Sequence, residues 1–323
     1  MPARLPLRSA EAGDDLAPTT RERHELELPV MGTNASILAV GGDRELVDRA
    51  ATRLGDLEQR WSRFLPDSEI SHCNALSGRS VAVSPETVRL VSCAVTGWQS
   101  TGGTFDPTVL NALCDAGYDR DFRSAARRAA ALTPTAPHAA PGCVAITWDE
   151  AASTVTLPAG VRFDPGGIGK GLAADIVSEE MIAGGAAGAL VSIGGDLRVR
   201  GEPPAATTWD LAVDDPFCAD KELLRLGLYD GALATSSRLH RSWSTRSGAA
   251  HHLIDPSTGS PASTPLVAVS AVASEGWWAE IVAKAVLIGG LGIDAGDAFA
   301  ALLVTVAEDG TVEYDPRLAA LAA

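Results

Sequence analysis

The run Asp164-Pro165-Gly166-Gly167-Ile168-Gly169-Lys170-Gly171 packs an aspartate, a lysine and several glycines into one turn. Glycine leaves backbone amides bare, so a ligand can approach them closely. The stretch that follows, Leu172-Ala173-Ala174-Asp175, predicts a helix, and a helix aims the positive end of its dipole out of its N-terminus. The combination suits a phosphate group. It equally suits a tight strand-to-helix connection capped by Asp164, because glycines alone discriminate weakly. A Walker A loop is excluded, since Gly171 and not Ser or Thr follows Lys170, and the spacing is not GxGxxG.

Three other stretches carry groups able to do chemistry. In Gly102-Gly103-Thr104-Phe105-Asp106-Pro107, Phe105 stacks on a flat ligand and Asp106 accepts a hydrogen bond from it, if the segment is a site. If it is an ordinary turn, Asp106 is merely held extended by Pro107. His251-His252-Leu253-Ile254-Asp255-Pro256 offers an imidazole, which beside a phosphate acts as base toward an attacking hydroxyl. Neighbours in a strand face opposite ways, so one histidine at most serves. The alternative is two exposed histidines before an Asp-Pro-x-x-Gly turn. Glu280 and Lys284 share a face of a helix predicted over 277–289. That helix is otherwise apolar and should be buried, where a Glu–Lys pair is costly unless a site uses it.

A scaffold must bring these groups together. Residues 24–28 and 35–40 alternate as strands, and 43–60 carries Leu46, Val47, Ala50, Leu54 and Leu57 at helical spacing. Residues 61–74 read as a polar loop. Ser84 and Pro85 open a helix over 85–101. Residues 144–148 and 154–157 predict a hairpin, and 171–183 a helix. Further strands are expected at 189–193, 209–213, 223–229, 231–235, 267–273, 302–306 and 312–314. No repeat and no regular βαβ order is visible, which predicts an α+β domain and not a doubly wound sheet. Residues 1–23 read as a flexible arm and 24–323 as one large domain, with 123–142 an Ala/Pro/Thr-rich connecting segment.

The 323 residues are 46% hydrophobic, which suffices for a real core and excludes a disordered chain. Lys+Arg number 26 against 41 Asp+Glu, a formal net charge of −15. Such a surface repels nucleic acid and anionic lipid, so any anionic ligand must be held by local groups. The five cysteines lie far apart with no CxxC, as expected of free thiols in a reducing compartment. Without a signal-peptide pattern, a lipidation cysteine or an apolar run of spanning length, a soluble cytoplasmic protein is expected.

Taken together, the four stretches resemble the ApbE family, the FAD:protein FMN transferases. The likeness runs through Met31-Gly32-Thr33, Ser62 to Ile70, Gly102 to Val109, Asp164 to Asp175, Gly194-Gly195-Asp196, Ala234-Thr235-Ser236, His252 to Pro256 and Gly259. The resemblance implies an ApbE-like α+β domain that binds FAD and transfers FMN, with magnesium assistance, to a Thr or Ser hydroxyl of an acceptor flavoprotein, releasing AMP. By position it implies that Met31, Phe64, Thr104, Phe105, Asp106, Asp164, Lys170 and Ile254 touch FAD, that Lys170 helps neutralise the diphosphate, and that His252 is the general base. Phe64 stands where the family often has Tyr, keeping a ring and losing a hydroxyl.

The departure lies at the metal. The family pattern in the late helix is Asp-x-x-x-Thr, two oxygen ligands, with a main-chain carbonyl, here that of Gly167, as a third. This chain has Glu280 and Lys284. Glutamate remains a hard oxygen ligand, but a protonated lysine cannot ligate Mg²⁺. Either Lys284 replaces the ion, or Glu280 binds it while Lys284 pairs with Glu280. An FAD-binding homologue with little transfer activity, and an FAD pyrophosphatase, are the alternatives to transfer.

Overall fold

The computed structural model describes residues 21–122, 124, 136–205, 207–245 and 248–322. Most of the expected arm and much of the Ala/Pro-rich segment therefore lie outside the described residues. Strand β1 (Arg23–Val30) alternates exposure with period two, as Leu26 and Leu28 between charged neighbours require. It turns through Met31 and Gly32, at φ 53° and 71°, into β2 (Thr33–Val40). Helix α1 (Glu45–Trp61) buries the predicted apolar stripe.

Two local expectations are corrected. The supposed polar loop contains α2 (Glu69–Ala75), nucleated by Ser68, whose side chain accepts from Ser71 N at 3.0 Å. Only Ile70 and Cys73 of it are buried, too short a stripe to show as periodicity. In the hairpin, β3 (Ser80–Ala82) also joins. Helices α3 (Pro85–Ser100) and α4 (Leu110–Asp115) then precede β4 (Thr147–Asp149) and β5 (Thr154–Thr156) in a three-stranded sheet ordered β3-β5-β4. Val144, placed in the first strand by its apolarity, is 83% exposed in a turn where Ile146 N bonds Cys143 O at 3.1 Å.

The second half supplies α5 (Gly169–Ala183), β6 (Gly188–Ile193), β7 (Asp196–Gly201), β8 (Trp209–Asp215), β9 (Cys218–Leu228), β10 (Gly231–Ser237), β11 (Ser242–Thr245), β12 (Gly248–His251), β13 (Ile254–Asp255), β14 (Ser260–Pro261), β15 (Leu266–Ala273), α6 (Gly276–Gly289), α7 (Ala295–Phe299), β16 (Leu302–Ala307) and β17 (Val312–Tyr314). The main sheet runs β1-β2-β6-β7-β10-β15-β16-β17, with every neighbouring pair antiparallel. This is the α+β arrangement expected of irregularly interspersed elements. Alternation in β10 sends Ala232 and Ala234 to the core under the helices and Leu233 to the core under the β8–β9 hairpin. No helix among the described residues is long and apolar enough to cross a membrane.

Helices α5 and α6 cross at bare backbone. A Cβ on Gly276 would lie 2.6 Å from Gly171 O, and one on Gly171 would collide with the Gly276 carbonyl. Asp175 locks the crossing: its carboxylate accepts from Gly276 N at 2.8 Å and Trp277 N at 2.9 Å, capping α6, and faces Arg198 Nε at 3.2 Å. Burial pushes that carboxyl up to about 6, against the two amides and the guanidinium. Gly171→Ala is expected to destabilise the chain by ~1–3 kcal/mol through overpacking, read from the urea midpoint. An unchanged midpoint would show that the helices part without cost.

Candidate active site

The glycine turn runs into α5, so Lys170 sits in the first helical turn, at the positive end of the helix dipole. Its ammonium donates to the Asp196 carboxylate and lies 3.1 Å from Glu280 Oε1. The other Glu280 oxygen accepts from Gly171 N at 2.9 Å. Asp196, which opens β7 after the Gly194-Gly195 turn, also accepts from Thr235 N at 3.2 Å. Three elements, α5, β7 and α6, thus meet on one lysine. The expected pairing of Glu280 with Lys284 is not formed. Both do share a helix face, but the α5–α6 crossing presents Lys170 to Glu280 first.

One turn along α6, Lys284 Nζ instead donates to Gly166 O at 3.1 Å. Burial pushes this ammonium down to about 8; Glu280 opposes the shift and Lys170 adds to it. Gly167 lies against it, and a Cβ there would be 2.6 Å from Nζ and 2.9 Å from Phe105 Cε2.

On the other side of the turn, Asp164 accepts from Gly166 N at 3.2 Å and faces Arg63 Nε at 3.1 Å. The Arg63 guanidinium lies over the rings of Phe64, 4.2 Å to the centroid, and Tyr118, 4.6 Å. Phe64 remains 42% exposed, so its ring is open to a ligand. Tyr118 stacks with Trp243 at 5.6 Å, and Ile254 is buried in the same cluster. Met31 reaches the site end of the sheet through its turn, because Gly194 N bonds Asn34 O at 2.9 Å beside Asp196.

The Thr104–Asp106 segment lines the site differently from expectation. Phe105 is 2% exposed and packs under Gly167, with Gly97 on its other side. Its ring supports the glycine turn and has no free face for stacking. Asp106 accepts from Thr108 N at 2.7 Å and Thr108 Oγ1 at 2.6 Å, which shapes the turn, while burial raises its pKa. Thr104 borders the end of α6, where a Cβ on Gly289 would lie 3.4 Å from its Cγ2.

The two histidines separate cleanly. His251 uses both ring nitrogens, Nε2 with Ala262 O at 3.1 Å and Nδ1 with Leu253 N at 3.3 Å. Strand β12 ends at His251, so a turn rather than strand alternation sets the neighbouring side chain apart. His252 Nδ1 is buried with no hydrogen-bond partner. Burial first, then the positive charges of Lys284 and Arg241, hold its pKa well below the usual 6.5. These causes keep the imidazole neutral at pH 7.

The residues present do not fit Mg²⁺. Both Glu280 oxygens already receive N–H donors, and an ammonium stands at position 284 beside the turn carbonyls. Among the described residues no group of three or more His, Cys, Asp or Glu could hold a metal ion.

Sequence reasoning assigned no role to Arg63, Tyr118, Asp196 or Arg241. The Gly-Gly-Asp run was a visible signal for Asp196. Nothing local marks Arg63 or Arg241, which matter only through partners distant in sequence, Asp164 and Tyr118.

Comparison with known proteins agrees with this architecture. The chain is 25% identical over 312 residues to the FAD:protein FMN transferase of Vibrio cholerae, covering 91% of this chain and 90% of that one. It is 28% identical over 273 residues to the FAD:protein FMN transferase of Treponema pallidum, covering 76% and 71%. The crystal structure of the ApbE protein of Thermotoga maritima superposes with a TM-score of 0.83 at 24% identity, over 94% of this chain and 100% of that one, which establishes the fold. A family model described as the ApbE family matches residues 31–306, and with the matching fold the chain belongs to the ApbE family.

Proposed function

We propose that this chain takes FAD as substrate and transfers its FMN half to a Thr or Ser hydroxyl of an acceptor flavoprotein, releasing AMP. One observation carries the reading: a glycine turn at a helix N-terminus, with the Lys284 ammonium on its Gly166 carbonyl, stands close enough to a neutral imidazole with an unpartnered nitrogen for that ammonium to hold the imidazole's pKa down. The relatives from Vibrio cholerae and Treponema pallidum are FAD:protein FMN transferases, which supports this reading.

In the reaction the acceptor oxygen attacks the FMN phosphorus. The bond from that phosphorus to the bridging oxygen breaks, AMP leaves with that oxygen, and the hydroxyl proton passes to His252. Charge grows on the phosphoryl oxygens beside the glycine turn, where the N-terminal end of α5 and the Lys284 ammonium on Gly166 O are placed to receive it, while Lys170 holds the Asp196 and Glu280 carboxylates. Phe64 offers an open ring to a flat part of FAD beside the Arg63–Asp164 pair, and Met31 and Ile254 are assigned to the same ligand by the family resemblance. Thr104 and Asp106 shape the far wall, and Phe105 acts from beneath the glycine turn.

Magnesium assistance, which the resemblance implies, has no free oxygen set here, and no step is routed through it. Incubation with FAD and an acceptor flavoprotein is expected to give covalent flavin on the acceptor and an equal amount of AMP. FMN and AMP appearing equally with and without acceptor would overturn transfer in favour of hydrolysis.

A further inference from the structure

The charges in direct contact with the glycine turn do not balance for an anionic substrate unless Lys284 is counted. Lys170 is held between two carboxylates, Asp196 and Glu280, which are 2% and 3% exposed. Taken alone, that trio is net negative and would repel a diphosphate. Arg63 is committed to Asp164 at 3.1 Å and adds no net charge. Lys284, in contact with the turn, brings that trio to neutrality before substrate arrives, and Arg241, bonded to the Tyr118 hydroxyl at 3.3 Å, is the further positive charge acting on it.

Its placement is built in. The ammonium is anchored on Gly166 O at 3.1 Å, and the missing side chain of Gly167 makes room for it, since a Cβ there would lie 2.6 Å from Nζ and 3.1 Å from Cδ. A divalent ion entering the same place would have to expel this ammonium and break the Lys170–Glu280 pair. Either change strands a charge in a poorly solvated site.

Resting on the flavin reading above, we propose that Lys284 is a tethered cation occupying the place of a divalent ion, so that this chain binds the FAD diphosphate without metal. The ammonium supplies one positive charge, fixed by the fold, in contact with the turn that cradles the diphosphate. Lys170 then serves mainly to hold Asp196 and Glu280, and Lys284 meets the substrate.

The test is titration of FAD into the full chain by calorimetry, in excess EDTA and in excess magnesium, together with Mn²⁺ alone followed by electron paramagnetic resonance. The unmodified protein is expected to bind FAD with affinities equal within about twofold in the two buffers, and to leave the Mn²⁺ signal that of the free ion. Lys284→Thr is expected to lose at least about tenfold in FAD affinity in EDTA and to recover with magnesium, because threonine returns an oxygen; Lys284→Arg is expected to keep metal-free binding. FAD binding by the unmodified chain only when magnesium is present, or Mn²⁺ bound at micromolar concentration, would overturn the assignment while leaving the flavin reading intact. Metal-free binding unaffected in Lys284→Thr would overturn it too. No FAD heat in either buffer would sink the flavin reading and this inference with it. Thermal melts check the variants, and should one fail to fold, the EDTA and Mn²⁺ results on the unmodified chain decide.

Discussion

His252→Ala is expected to bind FAD as the parent does and to transfer flavin about 10²–10⁴-fold more slowly, the usual worth of a positioned general base. The imidazole is suited to the task by what it lacks. Its Nδ1 is buried with no hydrogen-bond partner, whereas both nitrogens of the adjacent His251 are engaged. Burial and the nearby cations keep it unprotonated, so the rate should hold as pH falls through 6.5 and decline only below it. An acid limb at or above 6.5 would contradict that assignment. The same depression affects stability. The unfolded histidine takes up its proton first, so the fold loses stability as pH drops from 6.5 through the folded value. His252→Ala should flatten that loss. His251→Ala is the control: it breaks contacts to Ala262 and Leu253 without removing the base, so its transfer rate per folded molecule should match the parent. Equal single-turnover rates for His252→Ala and the parent would remove the catalytic role.

Lys170→Ala should cost about 3–5 kcal/mol of stability, as expected when one partner of a buried ionic group is removed. Among the described residues the lysine is the one ion-pair partner that Asp196 and Glu280 share, and those carboxylates are almost wholly buried. Without it, two negative charges face each other across the α5–β7–α6 junction. Urea unfolding measures the loss, and adding Glu280→Gln should restore part of it by removing one stranded charge. The amide keeps an oxygen for Gly171 N, which now bonds the carboxylate at 2.9 Å. A loss of under about 1 kcal/mol would mean that the carboxylates are hydrated and that the trio is not a closed unit. FAD affinity should fall as well, since the centre becomes more negative.

Much of the scaffold could be read from local chemistry. Ser84 and Pro85 announce α3, and the side chain of Ser84 does accept from Thr87 N. The alternation of residues 24–28 and the apolar run at 267–273 became β1 and β15. The misses have physical causes. Helix α2 is held by a cap and by Glu69, which accepts from Ser84 N at 3.1 Å, so little of its stability is written as hydrophobic period. Phe105 looked like a stacking ring because an aromatic beside glycines is ambiguous until its neighbours Gly97 and Gly167 are in place.

The sequence by itself determined the α+β class, the glycine turn at the head of a helix, and the family to which these motifs belong. It also placed Glu280 and Lys284 four apart on one face of an apolar helix, because residue identity and spacing are local information. Only the tertiary structure decided who pairs with whom. Lys170 meets Asp196 and Glu280 from 26 and 110 residues away, and Lys284 is left to the Gly166 carbonyl. That choice follows from the close crossing of α5 and α6 and the position of β7 in the sheet. Coulomb attraction among these groups is non-specific in sequence and becomes specific only when packing sets the distances.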